Sequence, residues 1–259
     1  MSVCIVNQKD IAEGLRKLPL PEEPLILVHS SLKAFGYVEG GAQAVINALM
    51  DICGSKGTLA MPTLSFKSVN EEVPCFDVKE TPSDTGHITE VFRKMPGVKR
   101  SMHIFSSLAA CGYNADYLTD WHNDTPCSPG SPYGKIIELK GVSLFLGAGI
   151  ASNTLFHCAE EYINLPYMRY KIIKNAKVTD SEGRVRIADF RRYDCWQTGI
   201  IRKLDRMEEI FREKNVLYET QIGNSRVILI KAEDNFRISC EILKDNPDYI
   251  LEKQHKCEK

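Results

Sequence analysis

Three short runs, residues 25–28 (Leu-Ile-Leu-Val), 58–61 (Thr-Leu-Ala-Met) and 142–146 (Val-Ser-Leu-Phe-Leu), restrict the possible folds of this chain more than any other feature. A strand with one face in water alternates apolar and polar residues. A run that stays apolar and is bounded by turn residues reads as a strand covered on both faces. The first run ends in His-Ser-Ser, the second at Pro62 and the third at Gly147 and Gly149. Helical spacing follows the first, with Val45, Ile46, Leu49 and Met50 expected on an inner face, and follows the third as well. Later the pattern changes. Residues 170–178 and 184–187 flank Asp180-Ser181-Glu182-Gly183, which predicts an antiparallel hairpin with one wet face. Helices are expected at 200–214 and 232–244, with a strand at 226–230 between them. No internal repeat or low-complexity linker divides the chain. The expected fold class is α/β, a three-layer sandwich with a central mixed sheet, its strands parallel in the N-terminal half and antiparallel in the C-terminal part. Residues 1–259 are expected to form a single domain.

Charge and cysteine usage exclude several function classes. With 33 Lys and Arg against 34 Asp and Glu, the formal net charge is −1, which argues against a nucleic-acid or membrane-surface partner. No apolar run approaches the roughly 18 residues of a membrane-spanning helix, and residues 1–8 lack a basic segment followed by an apolar one, so a soluble cytoplasmic protein, monomer or homodimer, is expected. The nine cysteines form no CxxC pair and no cluster with histidine, so neither a metal site nor a disulfide framework is indicated.

The chemistry is expected in residues 144–161. After the apolar run and its glycines, Ser152-Asn153-Thr154 offers side chains to cap a helix beginning near Thr154. On that helix Thr154, His157, Glu160 and Glu161 lie three or four residues apart, which puts them on one face just beyond a strand's carboxyl end. His157 there can act as a general base, with a hydroxyl one turn before it. The alternative is a helix-end histidine bonded to a backbone carbonyl. Cys158 does not join His157 as a nucleophile pair, because adjacent helical residues point about 100° apart. Upstream, residues 29–41 run strand, polar turn, Gly40-Gly41 and helix, an order that presents backbone amides to an anion without being a Walker loop or a GxGxxG. From Glu71 to Glu90, six acidic residues (Glu71, Glu72, Asp77, Glu80, Asp84, Glu90) face Lys79 alone, and would attract a cationic substrate if they lined a cleft.

Side by side, these stretches resemble the aminoglycoside 3-N-acetyltransferase family. The matching pieces are His29-Ser30-Ser31-Leu32 with Gly36, Val38, Gly40 and Gly41; Gly57-Thr58-Leu59 with Met61-Pro62-Thr63; Thr81-Pro82-Ser83 with Gly86, Glu90, Phe92 and Arg93; Pro96-Gly97 with Arg100, Ser101, His103 and Ser106; Ser131-Pro132-Tyr133; and Leu146-Gly147 with Thr154, His157 and Glu160. One departure is Ile104, where the family usually has proline. The resemblance implies acetyl-CoA as co-substrate, no metal, and transfer to a primary amine, the 3-amino group of an aminoglycoside's 2-deoxystreptamine ring. It implies that His29, Ser30, Ser31, Leu32, Gly36, Val38, Gly40, Gly41 and Ser106 hold the pantetheine arm and pyrophosphate. It makes His157 the general base, Glu90 its orienting carboxylate and Thr154 a hydroxyl near the oxyanion, with Asp77, Asp84 and Glu160 toward the substrate. Direct transfer needs no enzyme nucleophile, which fits the absence of a GxSxG elbow. Two alternatives remain at this point. One is an acyltransferase for another small amine, favoured by residues 169–203 with ten Lys and Arg against four Asp and Glu, a poor wall for a polycation. The other is a non-catalytic CoA-binding relative.

Overall fold

The computed structural model describes residues 4–120, 122, 125–194 and 200–253. In chain order the elements are β1 (Ile5–Val6), α1 (Gln8–Leu15), β2 (Leu25–Ser30), β3 (Tyr37–Val38), α2 (Gly41–Cys53), β4 (Thr58–Pro62), β5 (Cys75–Asp77), α3 (His87–Phe92), β6 (Lys99–Arg100) and β7 (Leu108–Gly112). They continue with α4 (Ala115–Asp120), α5 (Pro132–Glu138), β8 (Val142–Leu146), α6 (Phe156–Ile163), β9 (Tyr170–Thr179), β10 (Val185–Tyr193), β11 (Ile200–Arg202), α7 (Met207–Glu213), β12 (Tyr218–Ile222), β13 (Ser225–Lys231), α8 (Ala232–Asp245) and β14 (Leu251–Lys253).

The three unbroken apolar runs lie side by side as β8, β2 and β4, parallel, at the centre of a seven-stranded sheet ordered β12-β13-β8-β2-β4-β7-β6. All five residues of β4 and of β8 are buried. Alternate side chains separate cleanly. Ile26, Val28, Leu59, Met61, Leu144 and Leu146 join α1 and α2 in one core cluster. Leu25, Leu27, Ala60, Leu108 and Ala110 join α5 in a second, and Phe145, Ile228 and Ile230 join α6 and α8 in a third. Period-two alternation thus feeds apolar groups to helices on both faces, which is why these strands show no polar stripe. On α2, Val45, Ile46 and Leu49 are fully buried, whereas Met50 is exposed, against the sequence expectation.

The strand directions correct the expected division into a parallel first half and an antiparallel second half. β7 runs antiparallel to β4 although both belong to the N-terminal half. The cause is the connection. The chain leaves β4 at Pro62 and re-enters at Leu108, its register partner, with the Thr63 amide donating to the Ser107 carbonyl at 2.8 Å. A parallel neighbour requires a crossover to the opposite end of the sheet, and residues 63–107 make none.

The hairpin of β9 and β10 pairs in antiparallel fashion and adds β5 as a parallel third strand, which fastens the acidic loop to the basic hairpin. Lys171 Nζ lies 2.7 Å from Glu71, and Arg192 pairs with the same carboxylate. Residues 200–202, expected to open a helix, instead form β11 against β14. No helix among the described residues is long and apolar enough to cross a membrane.

Candidate active site

A cavity of about 770 Å³ opens at the carboxyl ends of β2, β4 and β8, where parallel strands of an α/β sheet leave a crevice. Its wall includes His29 and Ser30 from β2, Pro62 from β4, Asp84 to Gly86 before α3, and Ser106 before β7. Thr154 and His157 face it around the start of α6, with Arg192 and Tyr193 from β10 and Arg202 from β11.

The α6 region reaches this place by a route the sequence does not announce. A 3-10 turn over Ile150–Ser152 precedes the helix, and Leu155 occupies the cap without a side-chain bond. The expected caps are used otherwise. Ser152 Oγ donates to the Gly149 carbonyl, and Asn153 forms a reciprocal amide pair with Asn235 of α8, each bond 3.0 Å and both residues fully buried. That pair fixes the turn to the helix behind it and leaves Thr154 and His157 at the cavity.

Glu160 is the carboxylate that holds His157. Its Oε2 meets His157 Nδ1 and accepts from Arg202 Nη1 at 3.0 Å, while Oε1 accepts from Tyr167 OH at 2.9 Å. The Glu160 side chain is 0% exposed and that of His157 is 20% exposed, so the pair presents the imidazole and hides the acid. Burial holds His157 below the ordinary histidine value, with Glu160 pulling it up and Arg202 pushing it down. Glu160 itself is held low by His157 and Arg202 against its burial. With Nδ1 bonded to an ionised carboxylate, the proton of the neutral ring sits on Nδ1 and Nε2 is the basic atom. Tyr193 stands beside the ring at 5.4 Å between centroids, and its hydroxyl donates to Glu161 Oε1 at 2.6 Å, where the Cys127 amide also donates.

Two expected assignments change with this geometry. Glu90 does not meet His157. It accepts from Arg93 Nε (2.6 Å), from the Ser83 amide (2.8 Å) and from Lys94 (2.7 Å), and these cations hold its carboxyl down at about 2. Glu160, expected on the substrate side, lies behind the histidine. The reason is spacing: Glu160 is one turn from His157 on the same helix, whereas Glu90 has Arg93 and Lys94 at that spacing on its own helix and the next turn.

The remaining predicted residues divide. His29, Ser30, Ser106, Asp84, Thr154 and His157 share the cavity wall. Asp77 does not; its Oδ1 accepts from the amides of Lys79 and Glu80 and closes a turn. Gly36 lies against the Cys4 carbonyl, and Val38 is in the core where β3 pairs with β1. Ser31 and Leu32 enter a 3-10 turn. Gly40 caps α2 in a left-handed conformation, and Gly41 beside it has nothing within 4 Å of where a Cβ would stand. Sequence reasoning missed Tyr167, Arg192, Tyr193 and Arg202. The only signal for the two arginines was the basic bias of 169–203, read as a poor wall for a polycation; the structure puts Arg202 on Glu160 and Arg192 on Glu71, both at the cavity wall. Among the described residues no group of three His, Cys, Asp or Glu side chains could hold a metal ion.

Comparison with known proteins shows which family the fold and sequence resemble. A family model described as aminoglycoside 3-N-acetyltransferase matches residues 27–244. The SPbeta prophage-derived aminoglycoside N(3')-acetyltransferase-like protein YokD of Bacillus subtilis (strain 168) is 32% identical over 236 residues, 83% of this chain and 81% of that protein. A histidine-to-alanine mutant of aminoglycoside acetyltransferase AAC(3)-IVa, solved in complex with a gentamicin, superposes with a TM-score of 0.82 at 27% identity, covering 96% of this chain and 93% of that one. AAC-IIIb, solved as a binary complex with CoASH, gives a TM-score of 0.82 at 25% identity, covering 93% and 97%.

Proposed function

The chain belongs to the aminoglycoside 3-N-acetyltransferase family, and on that premise we propose that it moves the acetyl group of acetyl-CoA onto a primary amine by direct attack, with His157 as general base. The observation that carries this is the His157, Glu160 and Arg202 group: an imidazole at a cavity, its Nδ1 tied to a buried carboxylate and its Nε2 without a protein partner among the described residues. Nε2 takes a proton from the amine as nitrogen attacks the thioester carbon. The carbonyl electron pair moves onto oxygen, where the Thr154 hydroxyl, on the same wall, steadies it. Collapse restores the carbonyl and breaks the C–S bond, and the proton on His157 passes to sulfur, leaving amide and CoA thiol. Glu160 keeps the ring in its tautomer and supports the transient imidazolium, the part a buried acid plays in a Ser-His-Asp triad.

The acyl-CoA arm is assigned to the β2 side, past His29, Ser30 and Ser106, with its pyrophosphate toward the Gly40 and Gly41 amides at the start of α2. This takes residues 1–259 as one domain and its sheet as the middle of three layers; the separation of alternate strand residues between clusters on the two faces supports that. The acceptor is placed first among aminoglycosides, at the 3-amino group, because the relatives are named for that reaction.

A second reading, an amine with fewer positive charges, is favoured by the wall itself. Lys67, Arg192 and Arg202 line the cavity against Asp84 as the one carboxylate among its described residues. Much of the acidic loop is spent elsewhere: Glu71 on Lys171 and Arg192, Glu90 on Arg93 and Lys94, and Asp84 on the Lys67 amide and Ser68.

His157→Ala tests the base. The rate of acetyl transfer should fall about 10²- to 10⁴-fold with CoA affinity nearly unchanged. A variant that melts earlier yet turns over normally in its folded fraction would make His157 a structural histidine.

A further inference from the structure

Three imidazoles, those of His29, His103 and His122, are buried, and that of His157 is partly exposed at the cavity; the four are not used alike. His103 Nδ1 accepts from the Phe105 and Ser106 amides at 3.2 and 3.0 Å, and its Nε2 meets the Arg191 carbonyl at 3.1 Å. His122 meets Ser101 Oγ and the Pro126 carbonyl, each at 3.0 Å. His157 uses Nδ1 and keeps Nε2 for chemistry. His29 uses neither nitrogen among the described residues. It is 7% exposed, and its Nε2 is enclosed without a partner. An unpaired buried nitrogen is destabilising, so it calls for a reason. The ring is also fixed in place. It stacks on Phe145, its register partner on β8, with centroids 5.1 Å apart and planes 14° apart. It stands in the cavity wall close enough to His157 for the two rings to affect each other's charge.

We propose that His29, through Nδ1, the ring nitrogen that is not enclosed, is a second hydrogen-bond donor to the oxygen of the acyl thioester, acting from the β2 side while Thr154 acts from the α6 side. This rests on the acyl-CoA reading above. Burial first, and His157 second, pulls His29 down to about 3, so the ring is uncharged throughout the working range. A neutral imidazole can donate an N–H to a developing oxyanion without surrendering the proton. As the amine attacks, charge grows on oxygen and the bond to His29 strengthens; as the C–S bond breaks, it relaxes and His29 ends unchanged. The pantetheine amide carbonyls offer the same chemistry to a donor, and the free thiol of CoA separates the two sources because it lacks the thioester oxygen.

His29→Phe keeps a ring against Phe145 and removes both nitrogens. The account expects a melting temperature at or above that of the wild type, CoA affinity by calorimetry unchanged, and kcat for transfer lowered about 10²-fold. His29→Asn or His29→Gln, each keeping one side-chain N–H, should recover part of the loss. Slow hydrolysis of acetyl-CoA passes through the same oxyanion and should fall in parallel, so an enzyme that transfers to no amine, but hydrolyses in a His29-dependent way, would sink the amine reading and leave this one standing. Unchanged kcat in a folded His29→Phe would overturn the proposal. Equal loss of affinity for CoA and acetyl-CoA at constant kcat would also overturn it and move the contact to the pantetheine. If His29→Phe does not fold, His29→Leu, which also lacks any side-chain N–H, carries the same readouts.

Discussion

Glu160 carries a carboxylate with no exposure to water because Arg202, Tyr167 and His157 all meet it. A buried charge survives only when paired and bonded in this way. The same contacts set the titration of His157, and with it the pH profile. On the proposed mechanism the base works when neutral, so activity should be lost as pH falls through the His157 value, which burial places below 6.5. Glu160 raises that value and Arg202 lowers it. Glu160→Gln should therefore move the acid limb of kcat to lower pH, and should also lower the plateau about 10- to 100-fold by freeing the tautomer. Arg202→Gln should move the limb to higher pH. Glu90→Gln, remote from the imidazole, should stay within about threefold of wild type at every pH. Limbs that move the same way in the first two variants, or a Glu90 variant as damaged as the Glu160 one, would contradict the assignment. At this scale much was legible. His157 and Thr154 could be picked out because a strand end, a glycine turn and helical spacing are local signals. The carboxylate partner was misjudged because the resemblance pointed to Glu90, and only the fold shows that Arg93 and Lys94 already hold it.

The elements explain why the histidine stands still. The 3-10 turn before α6 has no cap of its own and is anchored through Asn153 to Asn235 on α8. Asn153→Ala leaves the Asn235 amide buried and unpaired, a cost of about 1–3 kcal/mol. For a chain of this length that is a fall of several degrees in melting temperature. The rate should fall as well, since Thr154 follows directly. An unshifted melting curve would show that the pair anchors nothing. None of this could be read from Ser152-Asn153-Thr154, which looks like a capping triplet in isolation. Residues 200–202 were misread for a related reason. A three-residue strand is defined by its partner, here β14, and its own residues fit the helical pattern that follows. That misreading concealed Arg202, because only the strand carries it to Glu160.

For the whole molecule, the apolar runs at 25–28, 58–61 and 142–146 lead to adjacent central strands, since burial on both faces is written into composition. The direction of β7 is not, because an apolar run looks the same read either way and only the connection through 63–107 decides. Charge behaves similarly. The acidic stretch 71–90 and the basic stretch 169–203 stand far apart in sequence, and the sheet of β5, β9 and β10 brings them together, where Glu71 pairs with Lys171 and Arg192. With Asp84 as the one carboxylate among the described residues of the cavity wall, against Lys67, Arg192 and Arg202, acceptors with one or two ammonium groups should compete well against polycationic aminoglycosides, and their relative kcat/KM values decide it. On the proposed function this chain acetylates amines through His157. Its most direct test is mass spectrometry of products from acetyl-CoA with a panel of aminoglycosides and simple amines, run in parallel with wild type and His157→Ala. The account predicts a singly N-acetylated product with equimolar CoA thiol from the wild type, and about 10²- to 10⁴-fold less from the variant at the same folded concentration. Equal product from both proteins, or none from the wild type across the panel, would contradict it.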